Sequence, residues 1–232
     1  ILLLVSLRFP ETRPQNTVSS GPLYRWGRYQ PVLAERHFLF YAFCCMAGMA
    51  SILSYVSYAP VWLIDHLGMS ELAFSGLFGL NALVNIIACF AAPVVTKRLG
   101  NRTTVVFSLW LLLASAAIQP VLQIYGPQQG MAAAMSFMLP MMLLCVGFAF
   151  LLGPATSMAL AAFGERAGTA AALLGFIQMS GASLLAGLVQ QTDLGAPFAV
   201  TLVMGSLSMV LLLVMAQSRF NAWHQEQQCA HH

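Results

Sequence analysis

Charge is what this sequence has least of. Ten Lys and Arg and seven Asp and Glu are spread over 232 residues, or 7% of the chain, where a soluble globular domain carries about 25%. Hydrophobic residues make up 59% and the mean hydropathy is +0.78. Such a chain cannot clothe itself for water, and most of its surface must meet lipid. Signs of enzyme chemistry are scarce as well. There is no phosphate-cradling Gly-Lys loop, no dinucleotide fingerprint and no helix-borne His/Glu pair for a metal. No Ser lies within reach of a buried His to make a nucleophile and base. Five Cys offer no disulfide framework: Cys44, Cys45, Cys89 and Cys145 fall inside apolar runs, and Cys229 is in the tail. Buried Cys behaves mostly as a small hydrophobe. His224, Cys229, His231 and His232 read as a solvated tail rather than a metal cluster, so no catalytic residue, metal or cofactor is expected.

The spacing of the few charges organises the rest. None occurs between Arg36 and Asp65, Glu71 and Lys97, Arg102 and Glu165, Arg166 and Asp193, or Asp193 and Arg219. A spanning helix needs roughly 20 apolar residues, and the longest gap is divided by the turn-forming YGPQQG at 125–130. The sequence therefore predicts an all-α membrane protein with six transmembrane helices, at 38–62, 72–95, 103–124, 131–158, 167–190 and 197–217. Residues 1–7 are too short to span and read as the end of a severed helix; the end of a signal peptide is the alternative, though Arg8-Phe9-Pro10 is no small-residue cleavage site. The organisation expected is residues 1–36 as that helix end plus a cytoplasmic linker, 37–218 as a six-helix transmembrane half, and 219–232 as a cytoplasmic tail. No soluble domain is inserted, and no internal repeat is evident.

Every Lys and Arg falls on one side of that arrangement, in 8–36, 96–102, 164–166 and the tail, while Asp65, Glu71 and Asp193 fall on the other. Basic loops stay in the cytoplasm, so both ends are expected there. From 23 to 36 the linker interleaves Arg with Tyr24, Trp26 and Tyr29, residues that suit a membrane interface beside anionic headgroups. Nucleic-acid binding does not suit a short segment tethered to a membrane span.

The spans contain no Asp, Glu, Lys, Arg or His, although proton-coupled transport ordinarily requires an intramembrane ionisable group. They do contain neutral polar and aromatic residues at helical spacing. Ser51, Tyr55, Tyr58 and Trp62 share a face of the first span, Asn81 and Asn85 lie one turn apart in the second, and Gln178 stands in the fifth. Carboxamides in lipid must point at protein or water. They could serve either as interhelical hydrogen bonds or as the wall of a cavity whose aromatic faces stack and make cation–π contacts. The fifth span is dense in small residues, with Ser183 and Gly187 in a small-xxx-small pair that favours close helix packing.

LRFPETRP at 7–14 resembles the exit from the sixth helix of major facilitator superfamily transporters. APVVTKRLGNRTT (92–104) resembles that superfamily's basic loop motif in its second-half form. ERAGTAAALLGFIQMSGA (165–182), preceded by LLGPATSMAL, resembles the Bcr/CflA-type drug–proton antiporters. The resemblance implies that the six spans form the second half of a major facilitator fold. It places Tyr55, Tyr58, Asn81, Asn85 and Gln178 toward a central cavity, and makes Lys97, Arg98, Gly100 and Arg102 the cytoplasmic gate turn. It implies proton-coupled efflux of an amphipathic small molecule across a bacterial inner membrane, with the proton-coupling residues in a first half. The loop motif here lacks the Asp of its first-half form. A metabolite carrier of the same fold and a non-transporting half-length protein are the alternatives.

Overall fold

The structure, a computed structural model, describes residues 27, 29–191 and 196–216. The expected helix end at 1–7, most of the expected linker and the expected tail at 219–232 lie outside the described residues. Among these residues the chain is helical, with no strand. A short helix α1 (Gln30–Ala34), opened by Pro31, is separated by an extended Glu35 from α2 (Arg36–Pro60). There follow α3 (Glu71–Leu99), α4 (Asn101–Tyr125), α5 (Gly130–Leu160), α6 (Ala167–Gln190) and α7 (Ala196–Ala216). Five helices are long and apolar enough to cross a membrane, counting α2 as continuous to His66. The sixth, α7, is apolar over Val200–Ala216. The six expected spans thus correspond to six helices.

Local chemistry explains the helix ends. Pro60 has no N–H and its ring crowds the preceding turn, and beyond it α2 widens into a π-helical turn, Val61–His66, with the Leu67 N–H donating to the Trp62 carbonyl at 3.1 Å. This carries Asp65 and His66, both exposed, onto the end of the first span. Ser70 caps α3 by accepting from the Ala73 N–H at 3.3 Å, with Glu71 in the first turn and Lys97 and Arg98 in the last. Acid at the start and base at the end both suit the helix dipole. Gly100 alone joins α3 to α4, at φ +82° and ψ 157°. A side chain there is strained, which is why the joint needs Gly. At the other end of α4, the Gln128 carboxamide donates to the Gln123 and Gly126 carbonyls (2.7 and 3.1 Å), capping the helix at the expected YGPQQG turn.

Burial sorts the helices. Within the apolar windows, 61% of residues are buried in α2 and 56% in α5, against 28% in α6 and 17% in α3. Helices α2 and α5 are the central pair and pack on each other. Gly48 allows it, since a Cβ there would sit 3.0 Å from Leu151 Cδ2 and 3.1 Å from Phe148 Cδ2. The flank of α5 carries α3 and the flank of α2 carries α6, while α4 and α7 pack together behind, α4 also on α5 and α7 also on α2. Exchanging α2 with α5, α3 with α6 and α4 with α7 preserves these main packing relations. The packing relations are thus pseudo-symmetric between α2–α4 and α5–α7.

The small residues of α6 divide: Ala170, Ala182 and Ala186 are buried, as close packing requires, and others are not. Ser183 is exposed, and Gly168, Gly175 and Gly187 have nothing within 4 Å of a Cβ position. Only Gly181 meets a neighbour, the Met46 side chain of α2.

Candidate functional site

The polar residues of α2 and α3 converge at α5. Tyr55 is 2% exposed and Asn81 3%; Asn81 Nδ2 donates to Tyr55 Oη at 2.6 Å, and the Tyr55 hydroxyl donates toward Met138 Sδ of α5 at 3.8 Å. Asn81 Oδ1 is buried and finds no partner among the described residues. The ring of Tyr55 stacks on Phe78 at 5.9 Å and lies 6.4 Å from Phe137, while Phe74 stacks on Phe78 at 5.5 Å. Trp62, turned by the π-helical segment, stands 6.5 Å from Phe137 and stacks on His66 at 4.3 Å. Half-buried Asn85 accepts a hydrogen bond from Cys89 Sγ at 3.3 Å. The thiol of Cys145 on α5 interacts with both carboxamides.

The structure therefore brings Tyr55, Asn81 and Asn85 into one polar–aromatic site, and here the interhelical hydrogen bond is realised by Tyr55 and Asn81. Tyr58 and Gln178 lie elsewhere. Tyr58 turns to α6, donating from Oη to the Val189 carbonyl at 2.9 Å. Gln178 is buried on the α6 face that packs against α2, in register with Leu174 and Ala182. Ser51 is spent locally, donating to the Ala47 carbonyl at 2.8 Å. A three- or four-residue step on a helix drifts around its axis, so one stripe can serve two neighbours.

Sequence reasoning missed Phe74, Phe78, Phe137, Met138 and Cys145. A signal existed for two of them, because Phe74, Phe78, Asn81 and Asn85 form one α3 stripe at four- and three-residue steps. Phe137, Met138 and Cys145 come from another helix, which no local pattern could assign. Gln119 was missed too. It is 1% exposed on α4, and neither amide atom has a partner among the described residues.

The basic turn forms the other candidate element. Lys97, Arg98 and Gly100 are exposed, whereas Arg102 is half-buried and acts electrostatically on Tyr41, which is fully buried on α2. The Gly100 carbonyl accepts from both the N–H and the hydroxyl of Thr104 (3.1 and 2.8 Å), fixing the start of α4. Nearby on α2, His37 stacks on Tyr41 at 5.1 Å, and Phe38 meets Phe163 of the α5–α6 connection edge-on at 5.6 Å.

A bundle of long apolar helices, polar only at its ends and at neutral interior sites, is a multi-pass membrane protein. Residues 1–186 match the family model of the Major Facilitator Superfamily, so the chain belongs to that family. It is similar to the multidrug resistance protein MdtL of Shewanella sp. (strain ANA-3), 29% identical over 72% of this chain and 42% of that protein. Identity to MdtL of Klebsiella pneumoniae subsp. pneumoniae is 27% over 84% of this chain and 48% of the relative. With MdtL of Escherichia coli O139:H28 it is 27% over 97% and 56%. The chain spans about half the length of these curated relatives. No solved structure matches.

Proposed function

We propose that this chain forms the C-terminal half of a secondary transporter that expels amphipathic drugs or toxic compounds from a bacterial cytoplasm in exchange for protons. The family membership and the multidrug-resistance relatives, matched along their length to half their extent, carry this reading. The described site fits a supporting role. It offers aromatic faces and neutral carboxamides, which can hold varied amphipathic molecules by stacking and a few hydrogen bonds. Ionisable side chains stand at the ends of the spans, not within them, so in this reading proton coupling belongs to a partner half. The exposed Gly168, Gly175 and Ser183 of α6 and the exposed side of α3, where Leu72 is 85% and Phe90 80% exposed, suit contact with that half. The protein would be an inner-membrane protein with both ends cytoplasmic, and Lys97, Arg98, Gly100 and Arg102 would shape the cytoplasmic gate.

Efflux of a lipophilic cationic dye from energised cells tests this, with the reading frame extended through any spans encoded before residue 1. Expected is protonophore-sensitive dye loss above that of vector-only cells. Asn85→Ala should alter the range of exported dyes with membrane insertion intact. Dye retention equal to the vector control would overturn the transport reading. Efflux indifferent to the protonophore would overturn proton exchange alone.

A further inference from the structure

A second concavity lies away from the polar–aromatic site. Between α2 and α7 runs a groove of about 370 Å³, walled by Phe40, Phe43 and Met46 of α2 and by Leu207, Val210 and Val214 of α7, with Arg36 at one end. Its size is at the low end of the roughly 300–1,000 Å³ typical of small-molecule sites. Phe43 is 45% and Val210 57% exposed, so the groove opens outward instead of closing into the core. Its inner end is the Met46 side chain, against Gly181 of α6.

Three observations define what fills it. The lining is apolar and lies at membrane depth, where water is a poor occupant. From position 36 to 46 an α-helix rises about 15 Å, half of the ~30 Å hydrocarbon core, so the groove spans one leaflet. Its one charged lining residue is a cation, placed where the helix leaves the membrane. Glu35 precedes it in the extended break after α1. Arg36 makes an intramolecular contact of its own, and a guanidinium with five donors keeps capacity for a phosphate oxygen.

We propose that this groove is a binding site for an anionic phospholipid, one acyl chain lying between α2 and α7 and the headgroup phosphate on Arg36. The site is independent of the transport reading; the proposed orientation enters only in assigning it to the cytoplasmic leaflet. Bound lipid would fill the seam between α2 and α7.

Native mass spectrometry of the detergent-purified chain tests this, using phosphatidylglycerol and phosphatidylcholine with identical acyl chains. Expected is one retained phosphatidylglycerol, preferred over phosphatidylcholine. Arg36→Gln should lower its retention about tenfold. Val210→Trp, an apolar change at an exposed position, should fill the groove and abolish retention with helicity unchanged by circular dichroism. Equal retention of both lipids, unaffected by Arg36→Gln, would overturn the proposal. So would undiminished binding to Val210→Trp. Binding that emerges only after removal of residues 217–232 would make the chain's own tail the occupant, and the proposal would fail.

Discussion

At single positions, the fold depends on where side chains are small and where polar groups meet. A Cβ on Gly147 of α5 would lie 3.1 Å from Leu111 Cβ and 3.3 Å from the Ser108 carbonyl oxygen of α4, whereas Gly153 has open space. Backbone and Cβ atoms cannot step aside as a side-chain tip can. Gly147→Leu should therefore lower stability by about 1–3 kcal/mol by overpacking. Gly153→Ala should be close to neutral, and denaturation in mixed micelles compares the two. Equal effects would mean that α4 and α5 do not approach this closely. The Tyr55–Asn81 pair is the second case. Polar pairs in membrane proteins couple by about 0.6 kcal/mol on average and up to about 1.7. A double-mutant cycle with Tyr55→Phe and Asn81→Ala should give coupling in that range, and zero coupling would show the two helices are not joined there.

Among elements, the joints carry more sequence-specific information than the helices. Gly100 is a one-residue connection held in a backbone region that L side chains rarely enter, and Gly100→Ala should cost on the order of 1–3 kcal/mol. The loss should appear as a lower melting temperature, larger than that of Lys97→Gln, since Lys97 is exposed and contributes chiefly through the helix dipole. If Gly100→Ala melts like the parent protein, the joint does not hold the conformation described. The π-helical turn after Pro60 belongs to the same scale, because by widening α2 it sets Trp62 against Phe137 and His66. Such turns recur at functional sites. Helix boundaries were legible from charge spacing and turn residues, to within a few positions. The extension of α2 to His66 was not, because it depends on how the chain rewinds after a proline.

For the whole molecule, orientation is the property open to direct test. A green fluorescent protein fused after residue 232 should fluoresce and an alkaline phosphatase fused there should be inactive, as expected of a cytoplasmic C-terminus. Replacing Lys97 and Arg98 together by Gln should weaken this bias or impair transport. The reverse pattern in the unmodified chain would overturn the orientation proposed from the basic loops. The same scale holds the exchange symmetry of the two three-helix units. In transporters of this family, repeats of three helices nest within each six-helix half, and the packing of α2–α4 against α5–α7 follows that plan.

The six-helix membrane class, the approximate limits of each span and the family resemblance could all be read from residue order. Hydrocarbon thickness and backbone hydrogen bonding leave a long uncharged run few options besides a helix, and basic residues mark the loops. Which side chains meet could not be read so. Tyr55, Asn81 and Asn85 were candidates from their types and spacing, yet their partners Phe137, Met138 and Cys145 come from a helix more than 50 residues further along the chain. Tyr58 and Gln178 stand apart from the Tyr55–Asn81 pair, Tyr58 donating to the Val189 carbonyl of α6 and Gln178 buried on α6. Small residues in α6 suggested close packing; the fold buries Ala170, Ala182 and Ala186 but leaves Gly168, Gly175 and Ser183 exposed. In a lipid-like sequence nearly every face is apolar, so hydrophobicity cannot say which face meets a neighbour. Interhelical fit makes that choice, and fit exists only once the helices are assembled.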